Sequence, residues 1–148
     1  MNAPRAGQVL GLLVRPGESV ATTDVAELTL HEQQGAVGDH GQSARRQVTI
    51  LGVEGWTAAT RELGRDVPWQ ARRANVLVSG LDLRETIGRR VQLGPCLVEI
   101  QGETVPCKVM DEAAAGLRQA LVADWRAGVY GTVVRGGVIR TGDPAQLE

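Results

Sequence analysis

The sequence predicts a mainly β protein with a few helices, of the α+β class, with its strands curled into one barrel-like domain. Three observations point there. Short runs rich in Val, Ile, Leu and Thr recur at close intervals, as in a barrel or a curled antiparallel sheet rather than in alternating βα units. Nineteen glycines in 148 residues exceed the usual ~7% and supply many turns. Only two stretches carry helical periodicity.

The elements follow in order. Gln8 to Val14 reads as a buried first strand and Val25 to Leu30 as an alternating second one. The run from Gly35 to Gly41 is a loop, and Gln47 to Leu51 is a compact strand. Glu54 to Leu63 is a helix with Trp56, Ala59, Thr60 and Leu63 on one side. Asn75 to Ser79 is a strand and Asp82 to Thr86 a short turn or helix. Arg90 to Leu93 and Leu97 to Ile100 flank Gly94-Pro95 as a hairpin. Met110 to Trp125 reads as one continuous helix, because Ala113, Leu117, Leu121 and Trp125 recur at i+4. Val129 to Val134 and Val138 to Ile139 flank Gly136-Gly137 as a second hairpin. Asp143-Pro144 is expected to end regular structure. One domain is expected over residues 1–148, with its core at about 9–143.

Composition removes several functions. Sixteen cationic residues balance seventeen acidic ones, for a net charge of -1, which gives no electrostatic case for nucleic acid or membranes. Three Trp, one Tyr and no Phe leave little for a base-stacking surface. Two cysteines eleven positions apart form neither a zinc pair nor a disulfide framework, and neither zinc nor haem is expected. Met1 to Arg5 lacks the apolar stretch of a signal peptide, and no window suits a membrane helix. The chain reads as cytoplasmic, with reduced thiols.

Cys107 is the first candidate for a reactive centre. Pro106 lacks an N–H and breaks regular backbone, which places the thiol on a loop. Beside it stands Lys108, the only lysine; the other fifteen cations are arginines. The competing reading is a buried cysteine acting as a small hydrophobe, and Cys96, within a strand, takes that reading. Arg72-Arg73-Ala74-Asn75 precedes an apolar strand, and arginine grips phosphate or carboxylate at two points. Both arginines can flank an anion only if the strand begins after them; otherwise they are solvated side chains. Arg45-Arg46 is a weaker version of the same signal. In Gly35-x-x-Gly38-Asp39-His40, glycine permits close ligand approach while Asp39 and His40 supply polar groups; the alternative is an ordinary loop. His31 reads as surface.

Taken in order, these runs resemble the MOSC domain, the module at the C-terminus of molybdenum cofactor sulfurases, here as a short stand-alone bacterial-type member. The matching pieces are Gly35-x-x-Gly-Asp-His40, Arg46 to Ile50, Arg72-Arg-x-Asn-Val-Leu-Val78, Gly80 to Leu83, Ile87-Gly88, Leu93-Gly94, Pro106-Cys107 and Gly128 to Asp143. The resemblance implies a barrel-like fold and a single functional cysteine, Cys107, that ligates molybdenum or carries sulfur. It implies that Arg72, Arg73 and Asn75, with Arg45 or Arg46, hold the phosphate of the molybdenum cofactor, and Lys108 is counted among the cofactor-binding residues. The glycine-rich Gly35 to His40 loop, with Gly38, Asp39 and His40, would line the cleft. Three activities fit: a small oxidoreductase acting on N-hydroxylated or N-oxide substrates, a sulfur carrier using a Cys107 persulfide, or a non-catalytic cofactor-binding module. Electrons or sulfur would come from a separate reductase or cysteine desulfurase.

Overall fold

The computed structural model describes residues 7–148; the reading of Met1 to Arg5 lies outside the described residues. Its strands are β1 (Gly7–Val14), β2 (Thr23–Asp24), β3 (Glu27–His31), β4 (Gly35–Ala36), β5 (Val48–Gly52), β6 (Val76–Ser79), β7 (Arg90–Leu93), β8 (Cys96–Glu103), β9 (Val129–Arg135), β10 (Gly137–Arg140) and β11 (Pro144–Leu147). Three helices join them: α1 (Val53–Leu63), α2 (Lys108–Ala113) and α3 (Leu117–Ala120). Short 3₁₀ turns cover Trp69–Arg72 and Ala123–Trp125.

Seven strands close on themselves in the order β11-β7-β8-β9-β5-β6-β1, and β1 meets β11 through Gly7 opposite Ala145. Closure leaves no unpaired edge within the barrel. β2 extends the sheet beside β1, and β10-β3-β4 form a separate three-stranded sheet. All pairings are antiparallel except β5 with β6, which α1 connects. That pair is buried on both faces, as parallel strands usually are. Ile50 and Val76 point into the barrel, where they meet Val9, Val98 and Ile100. Their neighbours Leu51 and Leu77 point the other way, beneath Trp56, Leu117 and Leu121. Each such aliphatic contributes about 1.5–3 kcal/mol by leaving water.

Four expectations need correction. The run from Gly35 to Gly41 is not all loop: Gly35 and Ala36 form β4, paired with His31 and Leu30 of β3. The single helix from Met110 to Trp125 is broken. Ala114 is extended at φ -159 and Gly116 sits at φ 88, so the helical path stops and restarts. Asp111 Oδ1 accepts the Gly116 and Arg118 amides at 3.2 and 3.1 Å, which satisfies donors exposed by the break. Leu117 and Leu121 are buried as the stripe requires, but Ala114 replaces the exposed Ala113. The second hairpin is absent among the described residues. β9 pairs with β5 and β8, whereas β10 pairs with β3, so Gly136-Gly137 carries the chain from one sheet to the other. Asp143-Pro144 does not end regular structure. Pro144 opens β11, which closes the barrel, and proline is tolerated at the first residue of a strand.

Candidate functional site

Cys107 lies after the end of β8 and immediately before α2, on extended backbone, with its side chain exposed. It opens onto a cleft of about 640 Å³ that is also lined by Arg15, His40, Arg46, Arg72, Arg73 and Glu112. The cleft gathers the end of β1, the loop after β4, the turn before β6 and the first turn of α2.

The arginines differ in what holds them. Arg72 ends the Trp69–Arg72 turn and is 6% exposed. Its Nε donates to the Ala127 carbonyl at 2.9 Å, while its buried Nη2 has no acceptor. Burial, reinforced by Arg46 and Arg15 and opposed by Cys107, lowers its pKa to about 10, so it stays cationic at neutral pH. Arg46 is shifted down by burial and then by Arg15, and its guanidinium lies 5.6 Å from the Tyr130 ring centroid, within cation–π range. Arg73 adopts a left-handed backbone at φ 62. Its Nη1 and Nη2 donate to the Val20 and Gly17 carbonyls at 2.7 and 3.2 Å. β6 begins only at Val76, after both arginines, so the two can face one cleft.

The chain matches the MOSC domain over residues 37–146. The chain belongs to the MOSC domain family. Solved structures share the fold of this MOSC protein. The YuaD protein of Bacillus subtilis superposes with a TM-score of 0.82 at 22% identity, covering 97% of this chain and 96% of that one. YiiM of Geobacillus stearothermophilus gives 0.72 at 20% identity, covering 96% and 75%. YiiM of Escherichia coli gives 0.72 at 20% identity, covering 98% and 70%. No curated protein matches the chain.

The MOSC cleft gathers Cys107, Arg72, Arg73, Arg46 and His40. Other residues singled out in the sequence lie elsewhere. Asn75 is fully buried and knits strands together: its Oδ1 accepts the Thr49 amide and hydroxyl at 3.0 and 3.1 Å, and its Nδ2 donates to the Leu13 carbonyl at 3.3 Å. Sealed among those strands, it does not line the cleft. Arg45 donates to the Gln101 carbonyl at 3.2 Å on the surface. Gly38, at φ 86, turns the loop, and Lys108 is exposed at the start of α2; neither lines the cleft. Asp39 is turned inward and paired with Arg15. Arg15 itself escaped the sequence reading. It stands alone before Pro16, and its partner lies 24 positions away, so no local pattern marked it. Among the described residues, no three His, Cys, Asp or Glu side chains converge on a metal position, and no helix is long and apolar enough to cross a membrane.

A second cavity, of about 430 Å³, opens at the carboxyl ends of β5 and β6, between Glu54, Leu81, Arg84 and Trp125. Its cations are paired: Arg84 with Asp82 at 2.8 Å and Arg126 with Glu62 at 2.9 Å.

Proposed function

We propose that this protein binds the molybdenum cofactor in the Cys107 cleft. The Cys107 thiolate is the protein ligand to the metal, and the Arg72 guanidinium, flanked by Arg46 and Arg15, receives the anionic phosphate. MOSC domains as a family are associated with this cofactor. The observation that carries the reading is the shared cleft of an exposed thiol and a buried guanidinium nitrogen without an acceptor.

The donor set fits the group. A buried donor left unpaired costs about 1–3 kcal/mol, more when charged, and an anionic oxygen would satisfy Arg72 Nη2. Thiolate is a soft ligand matched to a soft, polarizable metal centre. When bound, the cofactor supplies the redox chemistry. The chain's own residues orient it and screen its charge, and His40, Glu18 and Glu112 in the cleft wall can exchange protons with a reacting molecule. The reaction class we assign is reduction of N-hydroxylated or N-oxide substrates, with electrons from a separate reductase. The exposure of Cys107 favours a second reading. A persulfide there would be open to a donor protein, while Cys96 is sealed in the barrel.

The test is metal analysis of the protein and its Cys107→Ser variant from a cofactor-competent host. Roughly one molybdenum per chain in the wild type, lost in the variant, is the expected result. Wild type without molybdenum that gains cyanolysable sulfur on Cys107, after incubation with a desulfurase and cysteine, selects the sulfur carrier. Equal metal in both proteins removes the assignment of Cys107.

A further inference from the structure

Asp39 and Arg15 form a two-way clasp at the edge of the cleft. The Asp39 carboxylate is wholly buried, and all its acceptor contacts come from one residue. The Arg15 backbone N–H donates to Oδ1 at 2.7 Å, its Nε to Oδ1 at 3.2 Å and its Nη2 to Oδ2 at 2.7 Å. In return the His40 N–H donates to the Arg15 carbonyl at 2.8 Å. This fork-on-carboxylate contact fixes the guanidinium in plane. It leaves Arg15 Nη1 without a protein acceptor among the described residues, on a side chain that lines the cleft and is only 16% exposed. Both partners of the clasp are held on folded backbone: Arg15 directly follows β1, and Gly38 at φ 86 permits the turn that points Asp39 inward.

We infer that Asp39 is a positioning residue: it aims the Arg15 guanidinium at the anion bound in the Cys107 cleft. The inference rests on the cleft being an anion site, as proposed above. Without Asp39, Arg15 would lose its fixed plane and swing away from Arg46 and Arg72, whose positive charges repel it. Coulombic repulsion from Arg15 already contributes to the downward shifts of both.

Positioning and simple charge balance give opposite signs. Asp39→Asn makes the cleft more positive, so a mere counter-ion would, on removal, leave anion binding tighter or unchanged. A positioning residue would, on removal, weaken it. The experiment is calorimetry with inorganic phosphate across a salt series on the wild type, Asp39→Asn, Arg15→Lys, Arg15→Ala, Asp39→Asn/Arg15→Ala and Arg72→Met. Asp39→Asn is expected to bind roughly 10-fold more weakly, with a steeper salt dependence. The same substitution in the Arg15→Ala background is expected to have no further effect. Arg15→Lys keeps the charge but not the planar fork; it is expected to lose a similar factor and serves as the test should Asp39→Asn fail to fold. Unchanged or tighter binding by Asp39→Asn, or unchanged binding by Arg15→Lys, overturns the clasp. Binding lost in Arg72→Met but untouched by Arg15→Ala overturns the clasp and spares the proposed site. A wild type that ignores phosphate overturns both.

Discussion

The two cavities differ in how their charges are settled. Around Trp125 the cations have carboxylate partners within the chain, Asp82 for Arg84 and Glu62 for Arg126. Around Cys107 only Arg15 has a carboxylate partner, Asp39; a buried Arg72 nitrogen has no acceptor, and Arg46 and Arg73 line the same cleft without a carboxylate partner among the described residues. Charges paired at the surface add little to stability. An unpaired charge held out of water destabilises the protein until something binds it. The contrast separates cations already matched by carboxylates from a buried guanidinium that lacks one, and it is the reason the proposed cofactor site is placed on the Cys107 side even though both cavities are open and both contain arginine.

Substitutions can break or sharpen that contrast. The largest effect on stability is expected at Asn75, whose bonds are all internal. Asn75→Ala strands the Thr49 amide and should lower unfolding free energy by about 3 kcal/mol, read by urea denaturation, while any folded fraction still binds phosphate. Arg72→Met should do the reverse. Phosphate affinity falls roughly 30–100-fold, yet stability changes by less than about 1 kcal/mol, because loss of the Nε bond to the Ala127 carbonyl is offset by replacing a buried charge with a hydrophobic chain of similar length. Loss of stability with affinity intact would contradict the division. The two thiols repeat the contrast. Cys107 should react with a thiol reagent in the native protein, and Cys96 only after unfolding. Burial pushes the Cys96 thiol from 9.0 up to about 11. Between those values the unfolded chain ionises this thiol while the folded one keeps its proton, so stability present below pH 9.0 should decline as pH rises toward 11. The smallest effect belongs to the other cavity. The Arg84 hydrogen bond draws the Asp82 pKa down to about 2, which favours folding above the ordinary 3.8 and is lost as pH falls toward 2. Both partners are more than half exposed, so Asp82→Asn should cost less than about 0.5 kcal/mol at neutral pH.

The barrel was readable because its strands are compact apolar runs set off by turn residues. α1 was readable because Trp56 and Ala59 fall on one buried face. Pairing was harder to read. Nothing local in Gly136-Gly137 tells that β10 joins β3, more than a hundred positions away, instead of folding back on β9. The broken helix carried a legible warning in Gly116, which the i+4 stripe outweighed; tertiary packing shifted the buried position to Ala114. In the site, Cys107 stood out through Pro106, and the strand start at Val76 met the condition that lets Arg72 and Arg73 face one side. Asn75 carried the same local signal as its neighbours, yet its amide is consumed by Thr49 and Leu13, contacts 26 and 62 positions distant. Arg15 and Asp39 show the same limit, since long-range ion pairs leave no periodic trace.

X-ray absorption at the molybdenum edge tests the central claim most directly, on protein purified from a cofactor-competent host alongside its Cys107→Ser variant. The wild type is expected to show a sulfur neighbour that the variant lacks, or the variant to hold no molybdenum at all. Metal with the same sulfur neighbours in both proteins, or a wild type with none bound, would contradict the assignment of the arginine-lined thiol as the cofactor's anchor.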